Sequence, residues 1–304
     1  MKTGAEKGYT LTAVESGPVD PKYYLANAVN RLGKLPVAYC ILSKDADAIW
    51  TRVFVCMGGS MTRLKNYAEM FAKEMNLRIS DNLSKTDRYV MYKTGQVLWV
   101  NHGIGSPSLS IAAVEVIKLL HYAKAKNVTA MRLGTSGGIG TPPGTLVVSN
   151  GALNGELLDK YVQYTLGRKI SRPAVFDKNI CEQLYELAIQ LKLPVEIGKT
   201  LSTDDFYEGQ ARVDGAFCEY TEEQKFAFLN RLHSLGIRNI EMEALCFAAL
   251  FNRSNIKAAV VCVTLLNRLN GDQIKLTHDD FNEFETRIFK LVGAYIKQQL
   301  NNKN

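Results

Sequence analysis

Three arginines stand alone at turns, two of them rich in glycine: Arg63 in GGSMTR (58–63), Arg88 in TDRY (86–89) and Arg132 at the head of RLGTSGG (132–138). Glycine lets backbone N–H groups approach an oxyanion closely, and a hydroxyl and a guanidinium complete such a cradle. The planar guanidinium fork matches phosphate and keeps its charge at every relevant pH. A single Gly-Gly turn usually just reverses the chain, but three arginine-bearing segments together point to one small oxyanion. Neither GxxxxGK[ST] nor GxGxxG occurs, which argues against nucleoside triphosphates and dinucleotides.

A second set of residues could read a flat heterocycle. Gln210 and Arg212 lie two apart just after Gly209, within STDDFYEGQAR (202–212). An amide offers a donor and an acceptor side by side, which complements O2 and N3–H of uracil, and a neighbouring arginine can donate to O4. Cytosine reverses the pattern at N3 and position 4, a buried mismatch that costs on the order of 10⁴-fold in discrimination. Phe206 could pack on the base; without these partners the stretch is an ordinary surface loop. Glu243, in IEME (240–243), could accept from both hydroxyls of a ribose diol, or simply complement the dipole of the helix it begins. Arg268 stands at the carboxyl end of the apolar run 258–264, as a site arginine or a surface ion-pair partner.

These side chains need a scaffold that brings them together. Apolar, β-branched runs at 52–57, 96–100, 128–133, 145–149, 195–202, 237–240 and 258–264 read as strands. Helical spacing is expected at 62–76, 108–126, 180–191, 221–235, from 241 onward and over 279–300, with a short helix near 21–32. Thr221 is placed as an N-cap with Glu223 in the first turn. GTSGG (134–138) and TPPG (141–144) read as turns. Strands separated by helices give an α/β sandwich on a mixed sheet, in which ligands collect at the carboxyl ends of strands. With 304 residues, we expect one domain over 51–304 and an N-terminal extension over 1–50.

Composition narrows the function classes. A hydrophobic fraction of 46% suits a sizeable core. No apolar run approaches the ~18 residues of a membrane span, and the charged N-terminus lacks a secretory h-region, so a cytoplasmic address is expected. The net charge of +7 could suggest nucleic acid, but the basic residues form no runs and do not interleave with aromatics. Six scattered cysteines without a CxxC pair read as buried free thiols. No histidine stands at metal-ligand spacing from another histidine or cysteine, so no metal site is expected.

The segments GGSMTR, TDRYVMYK, VNHGIGSPSLSI, RLGTSGGIG, DFYEGQARVDG, NIEMEA and VVCVTLLNRLNGDQ occur in the order found in uridine phosphorylases, and the last two resemble the animal branch especially. The resemblance spans residues 52–273, about three-quarters of the chain. It implies the nucleoside phosphorylase-I fold, a three-layer α/β/α sandwich with a central mixed, partly barrel-like sheet. It also implies a pentosyltransferase that splits uridine with inorganic phosphate into uracil and ribose 1-phosphate, without a cofactor, as a homodimer. Carried onto this chain, Gly59, Arg63, Arg132 and Thr135 would hold phosphate, with Arg88 arriving from the neighbouring subunit. Phe206, Gln210 and Arg212 would bind uracil, Met242 and Glu243 the ribose, and Arg268 would stand near the uracil O4. Arg212, Glu243 and Arg268 would carry the catalysis.

Two departures stand out. The family's N-terminal histidine at the ribose 5′-hydroxyl has no counterpart, because no histidine precedes His102. The glutamate that holds a monovalent cation in bacterial members is absent beside Arg88, so no such cation is expected. The rivals are a purine-directed phosphorylase, a hydrolytic nucleosidase, a phosphorylase of shifted nucleoside preference and a catalytically silent paralogue. TLLNR (264–268) lacks the aspartate that purine-directed members place after the last strand. Phosphate arginines would serve no purpose in a hydrolase. Tolerance for thymidine and deoxyuridine is not set by these residues.

Overall fold

The computed structural model describes residues 52–302. In chain order, β1 (Val53–Gly58) leads to α1 (Met61–Glu74), β2 (Met91–Thr94), β3 (Val97–Asn101), α2 (Ser106–Tyr122), β4 (Val128–Gly138) and β5 (Leu146–Leu153). Then follow β6 (Lys160–Thr165), β7 (Arg168–Pro173), α3 (Lys178–Gln190), β8 (Val195–Ser202), α4 (Glu222–Ser234), β9 (Ile237–Glu241), α5 (Ala244–Asn252), β10 (Lys257–Asn267) and α6 (His278–Asn301). The helix expected near 21–32 and the extension 1–50 lie outside the described residues.

Eight strands form one mixed sheet in the order β10-β5-β8-β9-β4-β1-β3-β2, and β6 and β7 pair separately as a hairpin. β10 also pairs with β4, so β4, β10, β5, β8 and β9 close on one another while β1, β3 and β2 extend from the ring. The sheet is therefore partly barrel-like. β1 and β10 are buried along almost their whole length, as strands covered on both faces must be. α1 packs on β1, β2 and β3, α6 on β10, and α3 on β5 and β8, with α1 and α3 each touching α6. α2 and α5 pack together, and α5 lies on β4, β5, β8 and β10.

Aromatic residues lock α1 and α6 to the sheet. Trp99 of β3 sits 5.6 Å from the ring of Phe71 and 6.4 Å from that of Phe289, and its indole N–H donates to Thr94 Oγ1 at 2.7 Å. Helix starts are set by sequence: Ser60 caps α1, and capping boxes open α4 (Thr221 with Gln224, rather than Glu223) and α6 (Thr277 with Asp280).

β4 organises everything that follows. The turn expected at 134–138 is instead strand, because Gly134–Gly138 continues the parallel ladder with β10. On its other edge, β1 pairs only as far as Arg132, and β9 pairs only with Gly137 and Gly138. Leu133 to Ser136 thus have no ladder partner on that edge. Because β9 runs antiparallel to β4, the chain leaving β9 travels back along this gap towards Arg132. Glu241 and Glu243 arrive there by register.

Candidate active site

Arg132 is 3% exposed, and its Nη2 donates to Glu243 Oε2 and lies 2.9 Å from Glu241 Oε2. Its Nη1 donates to Cys262 Sγ at 3.0 Å. The guanidinium lies over Gly134, where a Cβ would stand 2.9 Å from Cζ and closer still to Nη1. Burial opposes its charge, but Glu241, Cys262 and Glu243 outweigh burial and hold its pKa above the ordinary arginine value. Burial is also the largest influence on both carboxyls. At Glu241 burial wins and raises the pKa; at Glu243 Arg132 and the Gly105 N–H win and lower it. Glu243 Oε1 accepts from Gly105 N at 2.5 Å, while Glu241 accepts from the backbone N–H groups of Glu243 and Ala244, both at 2.9 Å. Glu241 therefore anchors the start of α5, and Glu243 is the ionised counter-charge of Arg132.

Arg63 lies in the first turn of α1, 6% exposed, with Nη1 2.5 Å from Glu285 Oε1 of α6. Tyr67 holds the backbone of that glutamate, donating its hydroxyl to the Glu285 carbonyl at 2.6 Å. Gly59 ends the approach of β1 to β3; a Cβ there would stand 3.0 Å from the Gly103 carbonyl. Thr135 is half-buried in the unpaired stretch of β4. Among the described residues, Arg63 Nε and Arg132 Nε are buried without a hydrogen-bond partner.

A second cluster gathers beyond Gly137. Arg268 is 1% exposed and lies over that glycine, whose Cβ would stand 2.9 Å from Arg268 Cγ. Its Nη2 donates to the Gln210 carbonyl at 2.8 Å and its Nε to Asp272 Oδ1 at 2.9 Å. Its Nη1 is buried without a partner among the described residues. Burial pulls its pKa down and Asp272 opposes this. Asp272 also accepts from Lys225 Nζ at 2.8 Å and from Val213 N at 3.2 Å. Gln210 is buried in a short 3-10 turn, and Ala211 after it takes a left-handed φ of 52°. Arg212 donates from Nε and Nη2 to the two oxygens of Asp214, at 2.8 and 2.5 Å, and from Nη2 to the Asp272 carbonyl at 3.0 Å. Phe206, half exposed, lies with its ring 4.7 Å from the Arg212 guanidinium. Thr203 N donates to the Glu241 carbonyl at 2.9 Å, joining this loop to the end of β9.

The structure thus brings Arg132 and Glu243 together, and separately Gln210, Arg212, Arg268 and Phe206. Met242 is half-buried, its carbonyl accepting from Ser106 Oγ at 3.2 Å. Arg88 is exposed on the loop before β2, away from these contacts. Glu241, Glu285, Lys225, Asp272 and His102 take part in the architecture and were not singled out from the sequence. The i to i+4 spacing of Arg268 and Asp272 was the one available signal. Cys218 is exposed, unlike the other described cysteines, so the expectation of buried thiols does not hold there. Among the described residues, no group of His, Cys, Asp and Glu could hold a metal ion, and no helix is long and apolar enough to cross a membrane.

Residues 53–298 match the phosphorylase superfamily. The chain belongs to that superfamily. Among its relatives, the uridine and thymidine phosphorylase of Caenorhabditis elegans is 56% identical over 246 residues, covering 81% of this chain and 83% of that protein. The inactive uridine phosphorylase B of Schistosoma mansoni is 39% identical over 249 residues, covering 81% and 84% respectively. The crystal structure of Schistosoma mansoni uridine phosphorylase in complex with uracil superposes with a TM-score of 0.79 at 41% identity, covering 83% of this chain and 88% of that one. The superfamily's fold is therefore the nucleoside phosphorylase-I fold expected from the motifs, with the partly closed sheet described above.

Proposed function

We propose that this phosphorylase cleaves uridine reversibly with inorganic phosphate, releasing uracil and ribose 1-phosphate, and that it works as a cytoplasmic homodimer without a cofactor. The free edge of β4 carries this reading. One end meets Arg132 and Glu243, the other Gln210 and Arg268, and the four unpaired residues between them span about 13 Å at strand rise. An oxyanion, a pentose and a pyrimidine laid in line need about that length.

Both phosphate-side guanidiniums are held by carboxylates, Arg63 by Glu285 and Arg132 by Glu243. Phosphate bound by Gly59, Arg63, Arg132 and Thr135, with Arg88 from a second subunit, displaces Glu243 from Arg132. Glu243 is then free to accept from the ribose diol beside Met242, turning C1′ towards the nucleophile. As the C1′–N1 bond breaks, the sugar takes on oxocarbenium character next to the phosphate oxygen, and uracil leaves as an anion. Gln210 reads O2 and N3–H, Phe206 packs on the ring, and Arg212 and the unfilled Nη1 of Arg268 stabilise charge growing on O4. The 56% identical relative is named for uridine and thymidine, so both nucleosides belong in the assay.

A second copy would be received by the face around α2. Ile104, Ile111 and Val114 are exposed there, and Tyr89, next to Arg88, donates its hydroxyl to the Ser108 carbonyl at 3.0 Å. Tyr89 thus ties the loop that carries Arg88 to α2.

The deciding experiment measures base release from uridine, thymidine, deoxyuridine and inosine with and without phosphate. Phosphate-dependent release of uracil is expected. Release without phosphate would mean a hydrolase, and no release from any nucleoside would leave a silent binder like the inactive relative. Arg212→Ala is expected to lose about 2–4 kcal/mol of transition-state stabilisation, read from kcat/KM for uridine.

A further inference from the structure

His102 is the first residue after β3, and its backbone is stitched into the site from both sides. Its N–H donates to the Gly58 carbonyl at 2.8 Å, and its carbonyl accepts from Ser108 Oγ at 2.6 Å. The side chain is fully buried, and apart from the adjacent Gly103 backbone, which favours the protonated ring nitrogen, neither Nδ1 nor Nε2 has a well-aligned partner among the described residues. Leaving a buried polar group unpaired costs stability, so native proteins seldom do it without a reason. The charges that act on this imidazole are Arg132, Glu243 and Arg63, the phosphate-side cluster itself. Two of these residues, Arg63 and Arg132, likewise carry a buried Nε without a partner. Three side chains that carry buried, partnerless polar atoms and act on one another electrostatically suit a polar ligand.

The protonation state of the ring says what that something is. Burial first, and then Arg132, push the His102 pKa down to about 3. At neutral pH the ring is neutral, with one N–H and one bare nitrogen. The bare nitrogen is an acceptor placed beside the guanidiniums of Arg63 and Arg132. The carboxylates nearby have other partners: Glu285 holds Arg63, Glu241 holds the start of α5, and Glu243 is held by Gly105 and Arg132 and turns to the ribose diol once phosphate binds. Inorganic phosphate near neutral pH always carries at least one P–OH hydrogen, whereas sulfate carries none.

We propose, on the reading of the site as a phosphorylase centre, that His102 is a further phosphate-binding residue whose bare nitrogen accepts the P–OH hydrogen of phosphate, selecting a protonated tetrahedral oxyanion over sulfate. The hydrogen stays on the phosphate and no bond is made or broken at the ring. The ring N–H stays turned towards the Gly103 backbone, which leaves the bare nitrogen for the anion.

Three forms of the full chain test this: wild type, His102→Leu and His102→Asn. Phosphate KM, uridine KM and the inhibition constant of sulfate are measured together. Calorimetric binding of phosphate and of sulfate reads the same selectivity without turnover. His102→Leu is expected to raise the phosphate KM about 10- to 100-fold, as for a lost hydrogen bond to a charged group, with uridine KM little changed. The preference for phosphate over sulfate should fall by a similar factor. His102→Asn keeps an amide acceptor in a poorer position and should fall between the two; if the leucine variant does not fold, the asparagine variant decides by the same ratio. An unchanged ratio of phosphate to sulfate affinity overturns the proposal, as does a parallel loss for both anions. A wild-type chain with no phosphate-dependent uracil release sinks the phosphorylase reading instead, while calorimetry still tests the anion selectivity.

Discussion

At the residue scale, the site is built by glycines that make room rather than by glycines that turn. Read from sequence, RLGTSGG is a strand followed by a phosphate-binding turn. In the structure Gly134 and Gly137 are strand residues over which Arg132 and Arg268 lie. Sequence pattern could name the arginines and the glycines but not their pairing, because the pairing depends on where each side chain folds in space. His102 has no role in the sequence reading for a related reason: its chemistry comes from burial beside guanidiniums, which no spacing reveals. The pairing predicts a variant. In Gly134→Ala the new methyl meets the far end of the Arg132 side chain rather than backbone, so the fold should survive while the guanidinium is pushed aside. A displacement near 1 Å at a positioned group costs about 10²-fold in rate. We expect Gly134→Ala to lose about that factor in kcat/KM for phosphate, with its urea midpoint close to wild type. Unaltered phosphate kinetics would show that Arg132 does not work from that position.

At the element scale, strands and helices with strong apolar patterning were legible and weakly patterned ones were not. β1, β3, β4, β5, β8, β9 and β10 follow apolar runs, and α1 to α4 and α6 follow helical spacing. The β6–β7 hairpin was missed because it is largely exposed and charged, with positive φ at Leu166 and Gly167 marking its turn. β2 was missed because only four residues carry it. α5 begins at Ala244 rather than 241, since Glu241 still pairs in β9 and its carboxylate caps the helix that follows. α4 is held to the Arg268 cluster by an ionic triad that pattern alone does not disclose: Lys225 to Asp272 at 2.8 Å and Asp272 to Arg268 at 2.9 Å, the lysine 2% and the aspartate 4% exposed. Removing one member of a buried pair costs about 3–5 kcal/mol. Lys225→Met should sit at the lower end, about 3 kcal/mol, because Arg268 still faces Asp272. Burial would raise the Asp272 pKa, but Lys225, Val213 N–H and Arg268 outweigh it and hold the carboxyl below its usual range. A carboxyl depressed on folding stabilises fully above its unfolded pKa of about 4 and loses that contribution as pH falls towards its folded value. The stability gap between wild type and Lys225→Met, measured by urea unfolding, should therefore be largest near neutrality and shrink below pH ~4. An equal gap at both ends of that range would mean the lysine acts through packing alone.

At the scale of the whole molecule, one chain sets Arg132 with Glu243 at one end of the free β4 edge and Gln210 with Arg268 at the other, but leaves Arg88 exposed on its loop. Its loop is ordered by local bonds: Asn82 Oδ1 accepts from Ser84 N at 3.1 Å and from Met91 N at 3.0 Å, and Thr86 Oγ1 accepts from Arg88 N at 3.1 Å. The backbone is thus fixed and Arg88 is exposed on it, as Ile104, Ile111 and Val114 are on and before α2. If two copies meet there and each lends Arg88 to the other's cleft, a defect at Arg88 and a defect at Glu243 in the same chain damage different sites. Arg88→Ala and Glu243→Gln homodimers should each be nearly inactive. In a dimer with one chain of each kind, one site carries both defects and the other carries neither. Random pairing of equal amounts makes half the dimers mixed, so about a quarter of all sites should be intact. Co-expression of the two variants under separate affinity tags, followed by tandem purification, isolates the mixed species, whose activity per dimer should approach half that of wild type. Mixed dimers no more active than the two parents would place Arg88 and Glu243 in the same site and make each subunit's cleft its own.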